Sequence, residues 1–366
     1  MYRENEIKPP EGFYLNTMDW IKETFINKKE IDKYYKEIYS NEIISFPPPK
    51  GVDSPRWETK CKFGKAFVAV IPYGRLWGIN GSVITSNNKL LWDVSWLNRK
   101  TPEEHDIFYQ KKLPTFNYSK ETVATLAFTT HNNYYHWMFD ILPRIHLLNQ
   151  SGIKVDKYII NGSLKFPELQ YETLSVLGIP KNKIIETNDT FHYKAEKVVV
   201  SAVPRRLGRI PRWACDFIRN KFLENKKPTF LKEYERIYIS RNDTEHRKVI
   251  NEDELIKFIK PYGFKKVQIK DLSLQDQINL FYSATHIISP SGANLTNIVF
   301  CNPRTKIIEF SSTMVCELFW KISNYINLDY YYIKCDAGKK RHDKPMKDDI
   351  IVNINKFKEI LKMQGL

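Results

Sequence analysis

The stretch from residue 236 to residue 260, RIYISRNDTEHRKVINEDELIKFIK, joins a strand pattern, a charged loop and a helix pattern in direct succession. The β-branched and aromatic run at 236–240 is typical of a buried strand. Asn251, with Glu254 three residues later, matches a capping box and predicts a helix that ends at about Lys260. Strand, loop and helix in this order form the repeating unit of a parallel sheet, so the stretch predicts an α/β fold.

The same alternation continues to the end of the chain. The strands predicted after it are Lys265–Ile269, His286–Ser289, Lys306–Phe310 and Tyr330–Lys334. The helices predicted between and after these strands are Ser273–Ala284, Asn294–Cys301, Met314–Ile326 and Val352–Lys362. Ser273 is the predicted cap of the first of them, with Asp276 in the box position. Since crossovers between parallel strands are right-handed, the pattern predicts a mostly parallel sheet with helices on both faces.

The length predicts more than one domain. At about 150 residues per domain, a chain of 366 residues predicts two domains. The predicted divisions are a helical extension at 1–55, an α/β domain at 56–225, a second α/β domain at 226–350 and a closing helix at 351–366. The charged stretch Glu224–Glu235 is interpreted as the linker between the two α/β domains.

The composition indicates a packed globular protein with an anionic partner. Hydrophobic residues make up 42% and charged residues 27% of the chain, while 57 Lys and Arg against 42 Asp and Glu leave a net charge of +15. The first residues, MYRENEIKPPEGFYLNTMDW, contain no apolar signal segment, and no run of about 18 apolar residues follows. We therefore expect a cytoplasmic protein. Its five cysteines include no CxxC pair, which argues against a zinc ribbon or a redox pair.

A first group of candidate residues lies in the segment NNYYHWMFDILPR at 132–144. His136, Asp140 and Arg144 fall within about 80° of one another around a helix axis, and the remaining surface of the helix is almost entirely apolar. Such a helix is expected to be buried, so its three ionisable groups must face one another, a cleft or a partner. Pro143 is expected to bend it.

Two interpretations of this group stay open. In one, His136 and Asp140 form an acid–base dyad, and either of them takes a proton from a hydroxyl group. In the other, the His136–Asp140–Arg144 group is a satisfied buried network without a catalytic role. His131, just upstream, is a weaker candidate. No metal site is predicted, because HxxxD lacks a third ligand and neither HExxH nor DxD is present.

A second group of candidate residues is predicted at the carboxyl edge of the C-terminal sheet. Arg241 and Arg247 follow the first strand, where guanidinium groups suit the paired oxygens of a diphosphate. Alone, they could equally be two exposed arginines of a charged loop. A loop of small residues then leads from a strand into a helix, whose unpaired N–H groups suit an anion. Its predicted donor-binding residues are Ser291, Gly292, Ala293, Asn294, Thr296 and Asn297.

Glu309 is the last candidate of this group. It ends the predicted strand Lys306–Phe310, and an acid at such a position commonly meets ribose hydroxyls. The small-residue loop is neither a GxGxxG fingerprint nor a P-loop, so no dinucleotide cofactor is expected. Together, two arginines, a small-residue loop and an acid are predicted at one edge of one sheet.

These motifs, in their order, resemble the glycosyltransferase 61 family (DUF563). The segments that carry the resemblance are NYYHWMFDILPR, YISRNDTEHRKVINEDEL, LSLQDQINLFYSATHIISPSGANLTNIVF and KIIEF. The family includes bacterial capsule and polysaccharide enzymes, plant xylosyl- and arabinosyltransferases and animal O-GlcNAc transferases of the secretory pathway. The resemblance covers roughly Lys65 to the C-terminus. One departure is that the family's HGAGLTN reads SGANLTN here, so Ser291 and Asn294 replace a histidine and a glycine.

The resemblance implies a GT-B-like architecture, with two Rossmann-type domains and the active site in a cleft between them. It also implies inversion at the anomeric carbon, a UDP-sugar donor held by the C-terminal domain, an acceptor side in the N-terminal domain and no essential metal or cofactor. Asp140 or His136 would then be the base, Arg144 would position Asp140, and Arg241, Arg247 and the loop would stabilise the leaving diphosphate. The expected acceptor is a glycan or a lipid-linked glycan of a bacterial polysaccharide pathway.

The remaining positive charge suggests one further partner. Lysines that touch no motif, at 28, 29, 33, 36 and in the run Lys339–Arg341, are expected to face the anionic inner surface of the cell membrane. The competing classes are a basic nucleic-acid-binding protein and a catalytically inactive sugar-nucleotide-binding partner. Only the net charge supports the first, and no nucleic-acid module is present, so no nucleic acid is expected. Ser291 motivates the second.

Overall fold

The computed structural model describes residues 7–52, 57–204, 209–311, 317–338 and 347–366. The chain divides into two compact units. The first consists of Met1–Glu42 and Phe63–Arg206, and the second of Ile43–Lys62 and Leu207–Leu366. Each unit has its own sheet and its own helices, which confirms the α/β class.

The described elements are numbered in chain order. The strands are β1 (Phe13–Tyr14), β2 (Tyr35–Tyr39), β3 (Glu42–Ser45), β4 (Lys50–Val52), β5 (Lys60–Phe63), β6 (Ala66–Pro72), β7 (Arg75–Trp77), β8 (Ser82–Ile84), β9 (Leu90–Leu91), β10 (Asn117–Thr125), β11 (Lys157–Ile160), β12 (Ile184–Glu186), β13 (His192–Ser201), β14 (Arg236–Ile239), β15 (Lys265–Val267), β16 (His286–Pro290), β17 (Lys306–Ser311), β18 (Asp329–Lys334), β19 (Asp336–Ala337) and β20 (Ile350–Ile351). The α-helices are α1 (Thr17–Thr24), α2 (Lys28–Tyr34), α3 (Tyr134–His136), α4 (Pro143–Ser151), α5 (Pro167–Val176), α6 (Arg212–Lys226), α7 (Glu252–Ile259), α8 (Leu274–Ser283), α9 (Leu318–Tyr325) and α10 (Ile354–Met363).

The sheet of the first unit is mixed. Strands β13, β10, β11 and β12 are neighbours in that order and run parallel. Strands β6 and β7 pair with β13 in the antiparallel direction. The chain moves from β10 to β11 and β12 on one side, and then returns to place β13 on the other side of β10. The strand order therefore reverses between β10 and β13, and such a switch point is where open α/β sheets bind ligands at their carboxyl edge.

The six strands of the second unit run in the order β15-β14-β16-β17-β18-β4, and every pair is parallel. Here the order reverses between β14 and β16. Strands β16 and β17 are buried at nearly every residue, as expected for central strands covered on both faces. One face packs on α7 and α10, through Leu255, Ile259, Phe357, Ile360 and Leu361. The predicted parallel sheet is thus confirmed.

Two local predictions can be compared with the structure directly. Ser273 caps α8, because its hydroxyl accepts from the backbone N–H of Asp276, as the capping box predicts. Asn251 precedes α7 as predicted, but its Oδ1 accepts from the backbone N–H of Val352 and does not cap the helix, so the capping box predicted with Glu254 does not form. The start of the helix predicted at Met314 and the run Lys339–Arg341 lie outside the described residues. Within the described residues, no helix has both the length and the apolar character that a bilayer span requires.

The N-terminal extension is only partly helical. After α1 and α2 the chain forms strands, and β4 joins the second unit's sheet as a parallel neighbour of β18. Phe46 and Trp57 flank this strand in sequence and pack on Trp320, with ring centroids 5.4 and 5.1 Å away. The segment Ile43–Lys62 therefore completes the edge of the second sheet, a long-range pairing for which the local sequence carries no signal.

The docking of β4 can be tested at Gly51. A Cβ at this position would lie 2.6 Å from the backbone oxygen of Tyr332 and equally close to its ring. We expect Gly51→Ala to lower the free energy of unfolding by about 1–3 kcal/mol, because the two strands cannot keep their spacing. Gly64→Ala is the matched control, since its Cβ would meet nothing within 4 Å. Equal melting temperatures for the two variants would contradict the pairing of β4 with β18.

Candidate active site

The helical segment at 134–151 changes geometry in its middle. Helix α3 is followed by a π-helical turn at Trp137–Ile141 and then by α4. The N–H of Leu142 donates to the carbonyl of Trp137, five residues back, at 3.1 Å. Pro143 has no N–H and its ring would clash with a carbonyl in a regular helix, so a wider turn relieves the conflict. The departure from a regular helix expected at Pro143 is this π-helical turn.

His136 and Asp140 are paired across the π-helical turn. Nδ1 of His136 lies 2.9 Å from Oδ2 of Asp140. The Asp140 side chain is fully buried, whereas 22% of the His136 side chain is exposed. When Nδ1 donates to the carboxylate, Nε2 of the neutral ring keeps its lone pair. The pair is therefore arranged so that His136 can accept a proton at Nε2 while Asp140 holds the ring.

Arg144 occupies the switch point of the first sheet. Its Nη2 donates to the backbone oxygen of Thr125 at 2.7 Å and its Nε to Ser201 Oγ at 3.1 Å, and these two residues end β10 and β13. Burial lowers the pKa of Arg144 to about 10, and the negative charge of Asp140 opposes that shift. Arg144 is thus a buried positive charge that the negative charge of Asp140 stabilises.

His131 lies in the turn that precedes α3. Gln170 Nε2 donates to its backbone oxygen at 3.2 Å, and neither of its ring nitrogens hydrogen-bonds to a described side chain. Burial lowers the pKa of His131, while the backbone of Phe128 opposes the shift. The structure therefore groups His136, Asp140 and Arg144, and it places His131 in the adjoining turn, where burial disfavours the protonated imidazole.

In the second unit, Arg241 meets the small-residue loop at the switch point. Arg241 directly follows Ser240 at the end of β14, and Gly292 follows the end of β16. Arg241 is largely buried, and a Cβ on Gly292 would overlap its Nη1 atom. Since the φ of Gly292 is 175°, glycine is needed here for space and not for its backbone angle. The space beside Gly292 is thus taken by the guanidinium group of Arg241, and the donor-binding role of Gly292 stays a prediction.

The two arginines lie close enough to affect each other. Burial and the positive charge of Arg247 together lower the pKa of Arg241 to about 10, and the charge of Asp243 opposes the shift. Arg247 has a φ of 60°, in the left-handed region that non-glycine residues seldom adopt. Arg241 Nε also donates to the backbone oxygen of His246, at 3.3 Å. Two guanidinium groups held together in this way repel each other, and a bound anion would relieve the repulsion.

The helix after the small-residue loop is a 3₁₀-helix at Ala293–Phe300. Ala293 and Asn294 at its start are partly exposed, whereas Thr296 and Asn297 are fully buried. Asn297 Nδ2 donates to Gln277 Oε1 of α8 at 2.8 Å, which anchors the helix. At the other end, Arg219 Nη1 lies 2.6 Å from two backbone oxygens, those of Val299 and Cys301. The donor-binding roles of Thr296 and Asn297 stay predictions.

Glu309 lies inside the sheet of the second unit and interacts with the small-residue loop through Ser291. It is fully buried in β17, and the Tyr330 hydroxyl donates to its Oε2 at 2.7 Å. Burial raises the pKa of Glu309 to about 7, while the hydroxyls of Ser291 and Tyr330 and the charge of Arg247 oppose that shift. Glu309 thus links the small-residue loop to the arginine loop electrostatically. Its contact with a ribose stays a prediction.

The sequence did not identify the role of Glu252. Its buried carboxylate accepts hydrogen bonds from Tyr238, Ser240, Asn242 and Lys266. Three of these donors belong to β14 or to the residues just after it, so Glu252 fixes the strand end that carries Arg241. The sequence shows only three successive acids, Glu252 to Glu254, and the capping pattern does not say which of them turns inward.

The buried carboxyl of Glu309 predicts a dependence of stability on pH. Because its folded-state pKa of about 7 exceeds the ordinary glutamate value of 4.5, the folded state keeps a proton between these two pH values that the unfolded state has lost. Its contribution to the free energy of unfolding is then complete below pH 4.5 and falls by about 3 kcal/mol as the pH rises through 7. We expect Glu309→Gln to remove this fall, as denaturant unfolding at pH 5 and pH 8 would measure. Identical pH profiles for variant and wild type would contradict it.

Comparison with known proteins gives a family. Residues 134–308 match the model of the family described as Glycosyltransferase 61. The match begins at α3 and ends one residue before Glu309, so it includes the His136–Asp140 pair and both loops of the second unit. No curated protein matches the chain. Among the described residues, no three His, Cys, Asp or Glu side chains are grouped as metal ligands. The predicted resemblance to the glycosyltransferase 61 family is thus confirmed over residues 134–308.

Proposed function

We propose that this protein is an inverting glycosyltransferase that moves a sugar from a UDP-sugar to a hydroxyl group of a glycan or lipid-linked acceptor. The family match indicates a glycosyltransferase in general. The observation that carries the finer proposal is the pairing of partly exposed His136 with buried Asp140. The GT-B-like architecture that the family resemblance implies stays a prediction.

In the proposed reaction, His136 is the general base and Asp140 is a positioning residue. The acceptor oxygen attacks the anomeric carbon while its proton passes to Nε2 of His136. The bond from the anomeric carbon to the diphosphate breaks, and its electron pair leaves with the diphosphate oxygen. A single displacement of this kind inverts the anomeric centre. The imidazolium that forms keeps its Nδ1–H on Asp140, whose negative charge stabilises it.

The leaving diphosphate gains negative charge in the transition state, and the second unit supplies positive groups for it. Arg241 lies against Gly292, the residue before the 3₁₀-helix, and the positive charge of Arg247 acts on Arg241. Donors fixed in place before the reaction stabilise developing charge without reorganisation. Arginines and backbone groups would then perform the role that a metal ion has in other transferases, and Glu309 would meet the ribose.

The proposed location is the cytoplasmic face of the cell membrane, in bacterial capsule or surface polysaccharide synthesis. The exposed lysines near α2 support contact with anionic lipid. Lys28 and Lys29 are exposed at its start, and Ile26, two residues earlier, is 97% exposed. An apolar side chain beside several lysines is the combination that binds a lipid interface.

Donor binding is tested by thermal shift with UDP-, GDP-, CDP- and dTDP-sugars. The true donor should stabilise the protein by about 2.7 kcal/mol at a hundredfold excess over Kd. Arg241→Ala should abolish this stabilisation, because the diphosphate loses its buried partner. Arg236→Ala is the control, since Arg236 begins the same strand at the opposite edge and its Nη1 donates to Tyr262. Stabilisation of Arg241→Ala equal to that of the wild type would contradict the site.

Turnover is tested at the His136–Asp140 pair. His136→Ala and Asp140→Asn should each lower kcat by about 10²–10⁴-fold while the donor still stabilises the protein, because only proton transfer is lost. His146→Ala is the control on the same helical segment, where His146 Nε2 meets the Tyr39 hydroxyl at 2.8 Å. Full activity in both variants would refute the assignment of the base. Activity that is lost in EDTA and restored by Mn²⁺ would refute metal independence.

A further inference from the structure

Two loops meet at the carboxyl edge of the first sheet. Strands β10 and β11 are parallel neighbours, with Val123 opposite Lys157 and Thr125 opposite Ile159. The loop after β10 leads to the His136 helix, and the loop after β11 leads to α5. Arg144 bonds to the ends of β10 and β13, and these two loops lie at the same carboxyl edge, where open α/β sheets bind ligands.

One amide side chain joins the two loops. Asn132 Oδ1 accepts from the backbone N–H of Lys165 at 2.8 Å, and Asn132 Nδ2 donates to the backbone oxygen of Ser163 at 3.1 Å. Both the oxygen and the nitrogen of the Asn132 amide therefore bond to the loop after β11. The loop after β11 is held against the turn that starts the His136 helix.

A second amide holds Phe166. Gln170 is buried, and its Oε1 accepts from the backbone N–H of Phe166 at 3.1 Å while its Nε2 donates to the backbone oxygen of His131. One residue beyond His136, Trp137 Nε1 donates to Thr173 Oγ1 of α5 at 2.8 Å. Phe166 is thus held in a fixed position relative to the start of the His136 helix.

Despite this fixed backbone, Phe166 is 38% exposed. Lys165 Nζ lies over one side of its ring, 5.5 Å from the centroid. An exposed phenyl ring on a fixed backbone, with a hydrogen-bond donor next to it, complements a pyranose, which has an apolar C–H face and a rim of hydroxyl groups. Aromatic surface of this kind binds at a low cost in conformational entropy.

We propose that Phe166 and Lys165 form a subsite for a pyranose ring of the acceptor, with Phe166 against the C–H face and Lys165 donating to a hydroxyl. This inference rests on the proposed transferase function. The two amide clamps would then set the position of the acceptor sugar relative to the His136 ring, which receives its proton.

The test measures the binding of simple pyranosides by saturation-transfer NMR in the presence of UDP. The probes are methyl β-D-glucopyranoside, methyl β-D-galactopyranoside and methyl N-acetyl-β-D-glucosaminide. We expect at least one to bind the wild type, with its ring C–H protons saturated most strongly. Phe166→Ala should weaken that binding about tenfold, the upper range for loss of one aromatic contact, and Phe166→Trp should retain it. Tyr109→Ala is the control, because Tyr109 is 71% exposed on the same unit.

Two results would overturn the proposal. One is equal affinity of the wild type and Phe166→Ala, and the other is no binding of any probe to the wild type. The donor panel separates this failure from failure of the proposed function. If a nucleotide sugar stabilises the protein but Phe166→Ala does not weaken pyranoside binding, the proposed function stands and the subsite is refuted. If pyranoside binding depends on Phe166 but no nucleotide sugar stabilises the protein, the subsite stands and the transfer function is refuted.

Discussion

The burial of the Arg144 guanidinium between the ends of β10 and β13 governs the first unit. A charge removed from water is stable only where hydrogen bonds and an opposite charge replace the lost solvation. Thr125 and Ser201 supply the hydrogen bonds, and Asp140 supplies the charge. Asp140, in turn, holds the imidazole of His136. The position of the proposed base is thus determined by the end of the sheet through two intervening side chains.

The second unit also has an arginine, Arg241, at the switch point of its sheet, but the neighbouring charge has the opposite sign. In the first unit, a carboxylate of the chain balances the arginine at the switch point. In the second, burial is the main influence on Arg241, the positive charge of Arg247 acts in the same direction, and Asp243 opposes both. The two switch points therefore differ in the neighbouring charge, which is an acid in the first unit and a second arginine in the second.

The sequence predicted those features that depend on local pattern. Hydrophobic periodicity located the parallel strands, the capping rule located the start of α8, and the polar stripe located His136, Asp140 and Arg144. The π-helical turn escaped prediction because the helical wheel assumes a constant 3.6-residue period, although Pro143 gave a reason for a deviation. The inward position of Glu252 and the contact of Gly292 with Arg241 also escaped. Both depend on which side chains the fold brings together, which spacing along one chain does not encode.

The placement of β4 has a consequence for the order in which the protein can form. Strand β4 is synthesised early, but its partner β18 follows roughly 280 residues later in the sequence. At ribosomal speeds of about 5–20 residues per second, the edge strand waits roughly 15 to 60 s for that partner. During this interval Phe46 and Trp57 lack the aromatic residues that cover them in the finished protein. Completion of the second sheet is therefore a late event of biosynthesis, and the nascent chain must keep this segment from associating elsewhere until β18 emerges.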